Sequence, residues 1–235
     1  MRQLIAKVVK PGTFGRWLVR GFYRHPIRFP LALFRSVVAT KKLTGSIYPI
    51  RVRIGIGQIL RVNVGRKSRV NLIGNLQIDS WGGCNIASSI YCSENSNLII
   101  LGDFEIGPNV HINLSHGAIL TLGGKKYSSA SGITCNARIM VEKKLTIGHD
   151  CIIAWDVFIS DSNFHDITDI TRSNPVSIGD HVWISHGVSV LKGSVIPSGC
   201  IVGAKSLVSG IFNTEKSLLA GVPAKVIRNG VEWSR

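Results

Sequence analysis

From Ile178 onward the chain sets an aliphatic residue at every sixth position, at Ile178, Ile184, Val190, Ile196, Val202 and Val208. Neither a helix, at about 3.6 residues per turn, nor a strand, alternating every two, has that period. The same phase holds at Val141, Ile147, Ile153 and Ile159, and an earlier set opens at Ile100, Ile106 and Ile112, with Ala118 a weaker continuation. Traces remain at Ile54, Leu60, Leu72 and Ile78, with Arg66 out of register. Such a repeat predicts a parallel β-helix. Three sixes make a triangular coil, and each six supplies a short strand and a corner. The opening aliphatic points inward. The fifth residue also points inward and must be small or modest, as at Cys151, Val157, Val182, Val188, Ser194, Cys200 and Ser206. Gly148, Asp150, Gly179, Asp180, Gly187, Gly193 and Gly199 fall between the aliphatics, where corners need turn-forming residues. An ordinary all-β sandwich explains strands and glycines, but not a fixed phase over six successive blocks.

Two stretches break the phase. Residues 119–138 lose it around the polar run GGKKYSSASG. Residues 161–177, DSNFHDITDITRSNPVS, intervene between Ile159 and Ile178, which are 19 residues apart where a coil would use 18. A polar loop thus replaces one coil and returns almost in register. Loops held by a rigid scaffold are where function concentrates.

The first 45 residues follow another pattern. Arginines, aromatics and leucines mix, and Pro11, Pro26 and Pro30 limit helices to short pieces. Segments 14–24 and 31–40 read as basic amphipathic helices. The domain division is a basic N-terminal extension over 1–45 and a β-helix with a C-terminal tail over 46–235. Charge sharpens the division. The net charge is +15, yet residues 1–78 hold 16 Lys or Arg and no acid, while the rest is nearly balanced. Such an extension suits an anionic bilayer surface or an anionic, lipid-linked substrate. Nucleic acid is the competing partner for such charge, but no nucleic-acid motif accompanies it. A solvated extension or a cap over the open end of the β-helix is the plain alternative. If the extension only docks, deleting 1–45 weakens liposome binding far more than it lowers the melting temperature.

Five cysteines (Cys84, Cys92, Cys135, Cys151 and Cys200) without C-x-x-C spacing favour buried free thiols over a disulfide framework or a Cys-based zinc site. Arginines interrupt every apolar run near the start, so no secretory signal is visible, and nothing reaches the ~18 apolar residues of a membrane span. The expected location is cytoplasmic, with peripheral contact at the inner membrane face allowed for.

The run from LTIGHDCIIAWDVFISDSNFHDITD through IGDHVWISHGVSVLKGSVIPSGCIVGAKSLV to LLAGVPAKVIRNG resembles the hexapeptide-repeat O-acetyltransferases, especially the galactoside, maltose, colanic-acid and capsule-modifying enzymes of bacteria. The likeness covers about residues 133–230. It implies a left-handed β-helix, a homotrimer with active sites between subunits, acetyl-CoA lying along the coils, and a loop histidine as general base. His165 in SNFHDITD matches that base. A sugar hydroxyl attacks a thioester poorly until its proton is removed, and imidazole can take that proton and return it to the leaving thiolate. Asp166 and Asp169 are near enough in sequence to orient the ring. Asn136 resembles an acceptor-contacting asparagine, with Asn113 in HINLS as rival. Trp183 matches a tryptophan beside the cofactor channel, and packing at a corner is its plain alternative. Ser185, Gly203 and Ala204 match positions whose backbone meets the pantetheine arm. Lys205, Lys225 and Arg228 are candidates for the CoA phosphates. Ser209-Gly210 stands where the family often has a basic residue.

Three rivals compete. A zinc-dependent carbonic anhydrase on this fold needs three converging histidines. His186 fits, but VSVLKG stands where a second is expected, and His181 falls at an outward corner, so no metal is called for. A non-catalytic scaffold at the membrane accounts for the basic extension but not for the His165 loop. N-acetylation of an amino sugar needs the same scaffold. The reading is an acetyl-CoA-dependent O-acetyltransferase acting on a surface glycan (capsule, O-antigen or exopolysaccharide) or its lipid-linked precursor.

Overall fold

Ile54, Ile78, Ile106, Ile133, Ile153, Ile184, Val202 and Leu219 lie one above another along the inside of a single parallel sheet. In a computed structural model that describes residues 14–79, 85–127 and 131–234, this sheet is one of three that wall a triangular prism. We call it the first face. The second face stacks Val62, Ile90, Ile112, Ile139, Ile159, Val190 and Val208. The third stacks Leu72, Ile100, Leu122, Ile147, Ile178 and Ile196. The chain visits the faces in rotation, so strands pair in parallel with the strand one coil away, except that Ala224–Asn229 folds back antiparallel on Ser217–Gly221. This is the left-handed parallel β-helix of the resemblance. Nearly all of these side chains are buried, each contributing about 1.5–3 kcal/mol. The stack has one continuous core.

The inward fifth positions hold as well. Cys151, Val157, Val182, Val188, Ser194, Cys200 and Ser206 are buried. The serines return their hydroxyls to corner carbonyls, Ser194 Oγ to Leu191 O at 2.6 Å and Ser206 Oγ to Gly203 O at 2.7 Å. The cysteines Cys92, Cys135, Cys151 and Cys200 are free thiols, and Cys84 lies outside the described residues. Burial pushes Cys151 up to about 12 and Cys92 up to about 11. They are inert core residues.

The first two faces meet at a corner where Asn109, Asn136, Asp156, Gly187 and Lys205 follow one another, all with φ between 52° and 68°. Asn, Asp and Gly tolerate that left-handed conformation, which explains their recurrence.

The hexad phase needs one correction. Ile139, not Val141, continues the second-face column; Val141 stacks on Leu114 two residues further along. Strands on the second and third faces of the early coils hold four to six residues, and several bury two side chains, such as Ile112 with Leu114 and Leu120 with Leu122. Spacing between faces lengthens accordingly. For the same reason residues 119–124 are in register, as strand Ile119–Gly124. The excursion is confined to 125–131, of which 128–130 lie outside the described residues.

Residues 1–13 of the basic extension are also outside the described residues. The remainder forms α1 (Phe14–Arg24) and α2 (Phe29–Thr44), with Gly45 as the left-handed cap of α2. The second helix begins before the predicted residue 31, because Pro30 sits in its first turn, where a missing N–H removes no helical bond. Ala39 and Leu43 join the β-helix core. Ser36 Oγ accepts from Ile54 N at 2.9 Å and Thr40 Oγ1 from Val52 N at 3.0 Å. These hydroxyls satisfy N–H groups of the first strand, which has no coil before it. Deleting 1–45 would therefore open the core, contrary to the expectation of a mild effect on melting.

Candidate active site

Where the second face turns into the third, the chain leaves the coil after strand Phe158–Ser160 and returns at strand Val176–Ile178. Asp161 anchors the departure. It is fully buried, and its carboxylate accepts the backbone N–H groups of Glu142, Lys143 and Lys144 at 2.7 Å each. At the return, Asn174 N donates to Asp161 O at 2.8 Å. Between them the loop is a narrow hairpin, bridged at Ser162 with Ser173 and at Ile167 with Ile170. Arg172 Nε meets Glu142 Oε1 at 2.8 Å, Ser162 Oγ donates to the same carboxylate, and Lys192 Nζ donates to Thr171 O. The loop is seated on the coil beneath it.

This hairpin carries His165, which is exposed and makes no hydrogen bond among the described residues. Asp166 faces Arg172 at 3.8 Å, and Asp169 occupies the left-handed turn position at φ 62°. Neither is hydrogen-bonded to the imidazole. The adjoining Phe164 closes a cleft of about 380 Å³ against Tyr91, Asn113, His116 and Met140. Asn113 therefore adjoins the histidine loop.

Asn136 does not. It lies at the opposite end of the second face, where its Oδ1 accepts from Asn109 Nδ2 at 3.0 Å. Asn109 Oδ1 in turn meets His111 Nε2 at 2.9 Å, and Ser89 Oγ meets Nδ1 at 2.8 Å. Burial, with Arg138 and Arg61 nearby, holds His111 below the ordinary imidazole value.

The residues assigned to the acyl donor gather elsewhere. Trp183 and Arg228 share one outward column of the first face, linked through Ile201 and Leu218. Lys225 lies on the same closing strand, Ala224–Asn229, and both cations are exposed. The N–H groups of Ser185 and Gly203 are engaged in the ladder, with Val202 O at 3.0 Å and Leu219 O at 2.8 Å. Ala204 and Lys205 form the adjacent corner, and the Lys205 stem passes over Gly187, where an added Cβ would meet its Cδ at 2.7 Å.

Two features of this region were not legible in the sequence. Trp233 of the tail stacks on His181 at 4.1 Å and lies 6.1 Å from Trp183. At the corner below Lys205, His186 Nδ1 lies 3.3 Å from Asp156 Oδ2, with the Trp155 ring 5.6 Å away. The pairings depend on stacking across coils, and only the D-H-V-W run hints at them.

No family model matches the chain. Among curated relatives, one named for O-acetyl transfer in lipopolysaccharide biosynthesis, from Escherichia coli K12, is 37% identical over 100 residues, covering 37% of this chain and 50% of that protein. The polysialic acid O-acetyltransferase of Escherichia coli O1:K1 is 31% identical over 128 residues, 51% of this chain and 41% of the relative. That of Neisseria meningitidis is 28% identical over 176 residues, 72% and 80%. The chain spans about half the length, or less, of the first relatives it matches. A solved polysialic-acid-specific acetyltransferase aligns over 79% of this chain and 89% of its own, at 24% identity and TM-score 0.46.

Proposed function

We infer that this chain, similar to the hexapeptide-repeat O-acetyltransferases, transfers an acetyl group from acetyl-CoA to a sugar hydroxyl of a bacterial surface glycan or its lipid-linked precursor. The observation that carries the reading is the seated hairpin, which holds beside a cleft an exposed histidine that makes no hydrogen bond among the described residues. His165 removes the acceptor proton as the oxygen attacks the thioester carbonyl. The tetrahedral adduct collapses, the carbon–sulfur bond breaks, and the proton passes to the CoA thiolate. Asn113 holds the acceptor in the cleft. Trp183 borders the pantetheine arm, and Lys205, Lys225 and Arg228 offset the CoA phosphates.

Within one chain the two halves of this machinery stand at opposite edges of the second face. The reading therefore includes a homotrimer, in which the His165 hairpin of one subunit meets the corner carrying Ala204 and Lys205 of the next. That corner also holds Asn136, which returns it to the site as a contact from the neighbouring copy. Peripheral contact with a membrane is supported by Ile27, Leu31 and Phe34, which are 90%, 53% and 64% exposed beside the arginines of α1 and α2. No described helix is long and apolar enough to cross a membrane.

The test is His165→Ala. Transfer from acetyl-CoA to a capsular or lipopolysaccharide acceptor should fall by about 10²–10⁴, while CoA affinity and melting temperature stay near wild type. A variant that keeps most of its turnover removes His165 from the base role.

A further inference from the structure

At the end of the prism far from the acyl-donor residues, α1 lies beside the first strand of the first face. Its seat is aromatic. Trp17 and Phe22 each pack edge-on to Phe29, with ring centroids 4.9 Å apart. Gly21 is required there, since an added Cβ would stand 2.1 Å from the Phe29 ring. Held this way, α1 walls a cavity of about 480 Å³ with the outer surface of the first coil.

The lining is unusual in charge. Arg16, Arg20 and Arg24 recur every fourth residue, so one helical stripe turns toward the cavity. His25 follows them, and Arg53 projects from the opposite wall. The one acid among the described lining residues is Asp79, whose carboxylate already accepts from Gln77 Nε2 at 3.0 Å. Arg16, Arg20 and Arg24 form no ion pair or hydrogen bond among the described residues. Arg53 Nε is buried with no hydrogen-bond partner among the described residues. Burial also lowers the Arg53 pKa, Asp103 opposes that shift, and Arg51 adds to it. A buried guanidinium N–H left unpaired carries a desolvation cost that a hydrogen-bonding anion would offset. Four guanidinium groups face one space with a single carboxylate among the described lining residues, an excess of positive charge that a bound anion would offset.

We propose that this cavity binds a phosphate or diphosphate group. The guanidinium fork matches phosphate oxygens in bidentate geometry, and four forks suit a polyanion better than a single carboxylate. The turn joining α1 to α2 exposes Ile27, so a ligand whose phosphate continues into apolar chain would find both halves of its contact there. That favours a lipid phosphate over a free one. The site stands on its own residues and does not require acetyl transfer.

The experiment uses the full chain. Calorimetric titration with inorganic pyrophosphate should give saturable binding. Arg20→Gln/Arg24→Gln should weaken it by about tenfold or more, as should Arg53→Gln, whereas Lys41→Gln/Lys42→Gln, on the exposed side of α2, should leave it unchanged. Sedimentation with phosphatidylcholine vesicles carrying phosphatidic acid, or phosphatidylserine at matched charge, identifies the source. Preference for phosphatidic acid that is lost in the arginine variants supports a lipid headgroup. Pyrophosphate binding without that preference supports a soluble phosphorylated ligand at the same site. Absence of saturable pyrophosphate binding, or equal loss in the arginine and lysine pairs, overturns the proposal. So does binding confined to a single-stranded oligonucleotide. If Arg53→Gln melts early, the exposed Arg20 and Arg24 pair still decides. No arm measures acetyl transfer, so the acetyltransferase reading stands or falls separately.

Discussion

The last coils and the first coils of this prism solve the same packing problem differently. Between Ile184 and Val202 a coil takes 18 residues, with two-residue strands and one aliphatic plus one modest side chain inward per face. Between Ile78 and Ile106 it takes 28, with strands of up to five residues that bury two or three side chains. The wider coils need bulk that a hexad does not supply. Phe104, Leu76, Leu98 and Leu114 fill them, all essentially inaccessible. A β-helix can thus vary its girth without losing its stacking, since only the column positions must match from coil to coil.

The severest way to break this comparison is to empty the wide coils. Phe104→Ala should destabilise by about 4 kcal/mol, against about 1 kcal/mol for Ile184→Val in the narrow ones. Chemical denaturation of both variants measures this, and equal losses would mean the added bulk is not what supports the wide coils. Next comes Asp161→Ala, which strips the acceptor from three N–H groups at the base of the His165 hairpin. A loss of about 3 kcal/mol, together with faster proteolysis between residues 161 and 175, is expected. An unchanged cleavage rate would show that the hairpin holds its shape without that anchor. Ser36→Ala removes one hydroxyl from the contact between α2 and the first strand, and about 1–2 kcal/mol should go with it. Hydrogen exchange at Ile54 N reads this directly, and protection equal to wild type counts against the contact.

The smallest effect is a pH dependence at His111. Its folded value is depressed, so the unfolded chain binds more protons as the pH falls. Its contribution is complete above about pH 6.5 and declines as the pH drops toward the folded value. Wild type should therefore lose melting temperature more steeply than His111→Gln between about pH 7 and about pH 5. Parallel slopes for the two proteins would reject the assignment.

The same contrast explains what could be read from the chain before its structure. In the narrow coils each hexad is one face, so Ile178 to Val208 announces itself, and the 19-residue gap after Ile159 locates the hairpin. In the wide coils the aliphatics at Ile139 and Val141 compete for one phase, and sequence alone chose the second. The seating of α2 was hidden for another reason. Its buried stripe of Ala32, Ser36, Ala39, Thr40 and Leu43 is small and partly polar, so it does not look like a core-facing helix. On the sequence Asn136 resembles the acceptor-contacting asparagine and Asn113 is its rival. Only the order of corners around the triangle separates the one beside His165 from the one across the face.

The hydroxyls of Ser36 and Thr40 on the first strand have a consequence beyond stability. A stack of identical rungs has no internal reason to stop, and an open edge invites another copy to add itself, which is how fibres grow. Here α2 covers the leading edge, and the strand Ala224–Asn229 runs antiparallel at the other end, where a parallel rung would otherwise continue. On the first face the stack is therefore closed at both tips, and no further parallel rung can be added there.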